Sequence, residues 1–176
     1  FLQWLNPNNK KTYTWEETKL NIYKLSKIIK ENVEEGDRCL LVSENRPEWF
    51  ISDLAIMLSG AITVPAYTTY TEDDYKYLIE DCEPTVVIVS NNEMLKKLNI
   101  AINEKNFIKK VITFEAVEKA CNNLNIDNKE KYLDFNSLIK NDLSEKDKTQ
   151  NLNLKRSSAA CIIYTSGTGG NPKGVI

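Results

Sequence analysis

Thr85-Val86-Val87-Ile88-Val89-Ser90 is an unbroken β-branched run that follows Pro84 directly. A run with no alternating polar position reads as a strand buried on both faces, as in a parallel sheet covered by helices. Working outward toward the N-terminus, Thr71 caps a helix that runs through Cys82, with Tyr75, Leu78 and Ile79 on its apolar face. Before it come a strand over Ala61 to Pro65, a helix opened near Pro47 and stopped by Gly60, and a strand over Arg38 to Ser43. Earlier still, Thr12 to Trp15 reads as a short β-like lead-in. Thr14 and Glu17 there form a capping box for a helix that carries Thr18, Ile22, Leu25, Ile29 and Val33 at helical spacing, with Gly36 as its stop. Toward the C-terminus the alternation continues with a helix from about Asn92 to Lys105 and a strand from Lys109 to Phe114. The βαβαβαβ order predicts an α/β fold of three layers, α/β/α, with a mainly parallel sheet and right-handed crossovers.

Glu115 to Lys155 breaks the pattern. It is rich in Asn, Lys and Asp, so it reads as a polar surface excursion with one helix, Asn136 to Leu143, and a charged linker from Ser144 to Lys155. In the whole chain of 176 residues, 23 basic and 25 acidic residues give a net charge of −2 and no basic footprint for nucleic acid. Histidine is absent, which excludes a Ser-His-Asp triad, a Cys-His pair and any His-containing zinc site from this stretch. Cys39, Cys82, Cys121 and Cys161 form no Cys-x-x-Cys pair and read as free thiols of a reducing cytosol. The most apolar region, Phe50 to Ala66, is interrupted by Asp53, Gly60 and Pro65, so neither a leader nor a transmembrane span is expected. The chain begins at Phe1 and stops two residues after Gly174, and is expected to be a fragment of a longer protein.

Ala160 to Tyr164 reads as a last buried strand. Beyond it, Thr165 to Gly174 combine glycines at 167, 169, 170 and 174 with Thr165, Ser166, Thr168, Pro172 and Lys173. Glycines allow positive φ and close backbone approach, and successive N–H groups in such a turn form an anion-binding concavity. The hydroxyls add donors, and Lys173 adds a mobile positive charge. Phosphate is the expected ligand. Neither a Walker A loop nor a dinucleotide fingerprint fits, because Pro172 precedes Lys173 and stands where the fingerprint needs its third glycine.

Tyr164-Thr165-Ser166-Gly167-Thr168-Gly169-Gly170-Asn171-Pro172-Lys173-Gly174 resembles the Tyr-Thr-Ser-Gly-Thr-Thr-Gly-x-Pro-Lys-Gly signature of the adenylate-forming enzymes, the superfamily of acyl-CoA synthetases, luciferases and peptide-synthetase adenylation domains. It departs at Gly169, where the signature has a second threonine, and is one hydroxyl short there. Further segments resemble the long-chain acyl-CoA synthetase branch in order: Gly36-Asp37-Arg38, Glu44-Asn45-Arg46-Pro47-Glu48-Trp49, Gly60 to Pro65 with Tyr67 and Thr69, Tyr77 with Asp81 to Pro84, and Val86 to Ser90. The resemblance implies that residues 1–176 are the incomplete N-terminal part of an AMP-binding domain, with the excursion at about 115–155 and the phosphate loop at 165–174. It implies ATP-dependent conversion of a fatty acid to acyl-AMP and then acyl-CoA, with ATP, Mg²⁺ and coenzyme A taking part. Thr165, Ser166, Gly167, Thr168, Gly169, Gly170 and Lys173 would bind the β and γ phosphates, Lys173 as a charge clamp rather than a base.

In that family the catalytic residues and the metal ligand come later in the chain, so none is assigned here. A cytoplasmic enzyme, peripheral at a membrane at most, is implied. Alternatives are a non-catalytic nucleotide-binding module, suggested by Gly169, and an adenylating enzyme whose acceptor is a carrier protein or oxygen. Arg46 and Trp49 read as helix N-terminal packing rather than a ligand pair, while Tyr67 to Tyr70 either line a cleft or cap a core edge.

Overall fold

The computed structural model describes residues 1–6, 9–116, 124, 126, 128–144, 147, 154–166 and 170–176. Strands β1 (Leu2–Asn6) and β2 (Asn9–Tyr13) form an antiparallel hairpin that leads into helix α1 (Trp15–Lys30). There follow β3 (Arg38–Val42), α2 (Pro47–Ser59), β4 (Ile62–Ala66), α3 (Glu72–Cys82), β5 (Val86–Val89), α4 (Asn92–Glu104) and β6 (Lys110–Thr113). A 3₁₀ turn at Lys129–Lys131 precedes β7 (Tyr132–Asp134) and the short α5 (Phe135–Leu138). The main sheet has five strands in the order β4-β3-β5-β6-β7, and every pairing in it is parallel.

Alternate residues of each strand face opposite layers. Cys39, Leu41, Val86, Ile88 and Ile112 pack with Leu25 and Ile29 of α1 and Ile51, Ala55 and Ile56 of α2. Leu40, Val42, Val64, Val87, Val89 and Val111 pack with Tyr75, Leu78 and Ile79 of α3 and Leu95 and Leu98 of α4. The three layers predicted from the alternation are thus present, and the β-branched run of β5 is apolar throughout because both of its faces are covered.

The helix starts follow their local chemistry. The Thr14 hydroxyl accepts from the Glu17 N–H, and the Glu17 carboxylate accepts from the Thr14 N–H at 2.8 Å. Thr71 and Asp74 repeat the device on α3, where the return bond is also 2.8 Å. Pro47 occupies the first turn of α2, and Gly60 ends that helix in the left-handed region at φ 89°. At the far end of α3, Arg38 donates from Nε to the Cys82 carbonyl at 2.7 Å and from Nη2 to the Glu83 carbonyl at 3.2 Å. Helix α3 is therefore fixed at both ends.

Three expectations about these elements are corrected. Helix α1 ends at Lys30, well before Gly36, which instead turns the chain at φ 88° just ahead of β3. The stretch 115–155 is not only a polar excursion, since β7 adds a strand to the sheet and Tyr132, Phe135 and Leu138 are buried. Its helix is Phe135–Leu138 rather than Asn136 to Leu143. Lys24 reaches the Ile139 carbonyl at 2.7 Å and Lys27 reaches Asp147 at 2.9 Å, so this segment is tied to α1. Cys39 and Cys82 are buried free thiols, Cys161 is free and half-buried, and Cys121 lies outside the described residues. Among the described residues no helix is long and apolar enough to cross a membrane.

A Cβ at Gly60 would lie 3.9 Å from the Glu35 Cα, an ordinary contact, so the cost of Gly60→Ala is conformational. It should lower unfolding free energy by about 1–2 kcal/mol in urea titrations. The Asp74 carboxyl is held below its ordinary value, first by the Thr71 N–H and then by the Thr71 hydroxyl. Such a carboxyl contributes stability above its ordinary pKa and loses it as pH falls through the lowered value. Thr71→Ala should therefore lower the urea midpoint at neutral pH, with a smaller difference from wild type at about pH 3.

Candidate functional site

After the charged segment, Ala160 to Ile162 run briefly beside the edge strand β4. The Thr63 N–H donates to the Ala160 carbonyl at 3.1 Å, the Ile162 N–H donates to the Thr63 carbonyl at 2.9 Å, and Thr63 and Cys161 form a single parallel bridge. The chain then leaves the sheet. Strand β8 (Ile163–Thr165) pairs antiparallel with β9 (Lys173–Val175), with Ile163 opposite Val175, Tyr164 opposite Gly174 and Thr165 opposite Lys173. The buried strand expected over Ala160 to Tyr164 is thus corrected. In a two-stranded ribbon only one face can be covered, and here that face is Tyr164, 7% exposed, while Ile163 and Thr165 point outward.

This alternation sorts the loop residues. Thr165 and Lys173 are directly opposite and share the outward face, where cross-strand Cβ atoms stand about 4.5–5.5 Å apart. Both are exposed, as are Ser166 and Gly170 between them. Gly170 has φ 87° and open space around its Cα, so the backbone turn alone calls for glycine. Gly174 differs: a Cβ there would meet Ile162 Cγ2 at 2.8 Å and Tyr164 Cζ at 3.2 Å. Gly167, Thr168 and Gly169 lie outside the described residues.

Helix α3 meets the inward face. The Tyr164 hydroxyl donates to Asp81 Oδ2 at 2.5 Å, and the Tyr77 hydroxyl donates to the Pro172 carbonyl at 2.8 Å. The Tyr164 phenol is kept strongly in its neutral form, first by burial, then by its bond to Asp81. Between helix and loop lies a cavity of about 160 Å³, lined in part by Tyr70, Asp74, Asn171 and Pro172. Tyr77 and Asp81 belong to no phosphate-binding pattern. Their i, i+4 spacing on one helix face was the available signal, but their partners lie more than eighty residues further on.

A larger cavity of about 530 Å³ opens at the carboxyl ends of β3 and β4, bounded by Glu44, Trp49, Tyr67, Tyr70, Ile163 and Tyr164. Tyr67 is 68% exposed, whereas Tyr70 stacks edge-on against both Tyr67 and Tyr75 at 5.6 and 5.8 Å. The Tyr75 hydroxyl bonds the Tyr67 carbonyl at 2.7 Å, and Lys97 bonds the Thr68 and Tyr70 carbonyls at 3.2 Å. The tyrosine stretch thus serves both readings offered for it. It caps the core edge and walls the cavity.

Arg46 is engaged in packing. Its Nε lies 2.9 Å from Glu48, which is 4% exposed, and its guanidinium stacks over Trp4 at 4.7 Å and Phe114 at 5.3 Å. Among the described residues no group of three or more His, Cys, Asp or Glu side chains could hold a metal ion. The Cys82 thiol is pushed up to about 12 by burial, which leaves it inert as a nucleophile.

The fold is shared with solved structures of low sequence identity. The luciferase-like enzyme from the Zophobas morio mealworm matches with a TM-score of 0.76 at 18% identity, over 94% of this chain and 36% of its own. The A domain of carboxylic acid reductase from Segniliparus rugosus, solved with AMP and a co-purified carboxylic acid, matches with a TM-score of 0.72 at 18% identity, over 94% and 28%. By sequence, the chain belongs to the AMP-binding enzyme family, whose model matches residues 2–176. Among relatives, long chain acyl-CoA synthetase 3 of Arabidopsis thaliana is 29% identical over 170 residues, which cover 93% of this chain and 24% of the relative. Long-chain-fatty-acid-CoA ligase ACSBG2 of Xenopus laevis is 29% identical over 152 residues, covering 85% and 20%. The chain thus spans a quarter or less of the length of these relatives.

The contacts at Gly174 make a specific prediction. Gly174→Ala should force β8 from β9 or displace the Tyr164 ring, lowering stability by about 1–3 kcal/mol in urea titrations. Amides of 163–165 and 173–175 should exchange faster with deuterium, while those of β5 keep their protection in native-state exchange.

Proposed function

We propose that the protein containing this chain activates a carboxylic acid with ATP, and that the acid is a long-chain fatty acid. The carboxylate oxygen attacks the α-phosphorus of ATP, the α–β bridging bond breaks, and acyl-AMP and pyrophosphate form. The thiol of coenzyme A then attacks the acyl carbon, loses its proton and expels AMP, leaving acyl-CoA. The observation that carries this reading is the placement of Thr165 and Lys173 on one outward face at the two stems of the glycine-rich loop. Membership of the AMP-binding enzyme family supports the reaction class, and the names of the relatives support the fatty acid and the coenzyme A acceptor.

The first step builds negative charge on the leaving pyrophosphate, and preorganised donors aimed at that charge lower its barrier. The reading assigns this stabilisation to the hydroxyls of Thr165, Ser166 and Thr168, the backbone N–H groups of Gly167 to Gly170 and the ammonium of Lys173. Mg²⁺, when bound, adds positive charge at the same phosphates. A cytoplasmic enzyme in peripheral contact with membranes goes with such a substrate.

ATP–pyrophosphate exchange by the full-length protein tests the reading. Exchange should depend on added fatty acid, and none across a panel of chain lengths would overturn it. Binding of ATP without exchange would favour the non-catalytic module that Gly169 suggests. Lys173→Ala should slow exchange about 100-fold while thioester formation from preformed acyl-AMP falls far less. Equal loss in both half-reactions would refute the role given to Lys173.

A further inference from the structure

We propose that Tyr77 and Asp81 are positioning residues, through which one face of α3 holds both stems of the phosphate loop and so fixes Thr165 and Lys173 relative to the sheet. The inference rests on the reading of 165–174 as the pyrophosphate-binding loop. A two-stranded ribbon is marginal by itself, and among the described residues the backbone link from the β8–β9 hairpin to the main sheet is the Thr63–Cys161 bridge just ahead of it. Backbone pairing therefore leaves its placement weakly defined, and side chains must supply the rest.

Asp81 holds Tyr164, the residue immediately before Thr165, by the 2.5 Å bond from the phenol. Tyr77 holds the carbonyl of Pro172, the residue immediately before Lys173, at 2.8 Å. Pro172 lies just past the last rung of the ladder, where Thr165 faces Lys173. The proline ring fixes φ at that position, so securing its carbonyl leaves the peptide plane leading into Lys173 little freedom. The two anchors are four residues apart on one helix, about 6 Å along its axis.

The helix is a firm base for them. Its N-terminus is closed by the Thr71–Asp74 capping box, its C-terminal carbonyls are bonded by Arg38, and Tyr75, Leu78 and Ile79 are buried beneath it. Stems that hold their positions keep Thr165 and Lys173 in a fixed relation to each other, and this arrangement meets that requirement.

The test uses the full-length protein and the variants Tyr77→Phe, Asp81→Ala and Asp81→Asn. Tyr77→Phe keeps the ring and removes the donor, while Asp81→Asn keeps an oxygen to accept from Tyr164. Amides of 173–175 should exchange about tenfold faster in Tyr77→Phe and Asp81→Ala, and near the wild-type rate in Asp81→Asn. In ATP–pyrophosphate exchange, the first two variants should raise KM for ATP about fivefold to tenfold without moving KM for the fatty acid. Unchanged amide exchange and unchanged KM for ATP would overturn the proposal, as would an equal rise in both KM values with a lowered Tm, the mark of a merely structural role. A wild-type protein with no exchange activity would sink the ligase reading, and amide exchange at 173–175 would still decide the anchoring.

Discussion

Strand β3 is hydrogen-bonded in parallel to β4 on one side and to β5 on the other, and Cys39 to Val42 are fully buried. This double pairing constrains the remainder of the molecule. The chain leaves β3 outward through α2 to β4, then returns across β3 through α3 to reach β5. With right-handed crossovers, a reversal of direction puts the two connections on opposite faces. Helix α2 accordingly lies with α1, and α3 lies with α4, one pair on each side of the sheet. At the carboxyl ends of β3 and β5, Asn91 of one following loop bonds Glu44 of the other at 3.1 Å, which closes the gap where the crossovers diverge.

The same reversal explains why α3 becomes the support of the loop. As the element that returns from the edge strand, it passes over β4, and the hairpin leaves the sheet beside β4. The hairpin's inward face then needs a partner that is apolar at its centre and polar at its margins. Tyr164 satisfies both needs, because its ring is buried and its hydroxyl ends on Asp81. The bond and the burial act in one direction on the phenol, favouring its protonated form, so the donor that holds the stem persists across the physiological range. The outward face carries no such burden, and Thr165 and Lys173 remain exposed for a ligand.

Much of this was legible in the sequence, for reasons that differ by element. The run Val86–Val89 could be read because a strand covered on both faces must be apolar at every position. The starts of α1 and α3 could be read because a capping box is a local device within four residues. Strand β7 could not, since Tyr132-Leu133-Asp134 is an edge strand with a single buried side chain, preceded by lysines and a glutamate, and a polar edge is what protects a sheet from further pairing. The departure of Ile163–Thr165 from the sheet was hidden for another reason. Its apolar residues announce a strand, but whether a strand enters a parallel sheet or folds back on β9 depends on Gly174, whose missing Cβ lets Tyr164 lie against it. Of the glycines around the loop, Gly170 answers to its dihedral angle and Gly174 to its neighbours, a distinction composition alone does not carry.

Tyr164 belongs to two spaces at once, and this links loop and cleft. It borders the small cavity under the loop and, with Ile163, the larger one at the ends of β3 and β4. Its ring cannot move toward Gly174, since it already fills the room left by the missing Cβ, and its hydroxyl cannot leave Asp81 without stranding a buried donor. The wall of the larger cavity and the stem of the loop therefore share one anchored side chain. The tyrosines facing it are secured independently, by Tyr75 on the Tyr67 carbonyl and by Lys97 on Thr68 and Tyr70. A ligand seated between these two walls would meet side chains held by separate partners on either side, Tyr164 by Asp81 and the Tyr67 to Tyr70 stretch by Tyr75 and Lys97.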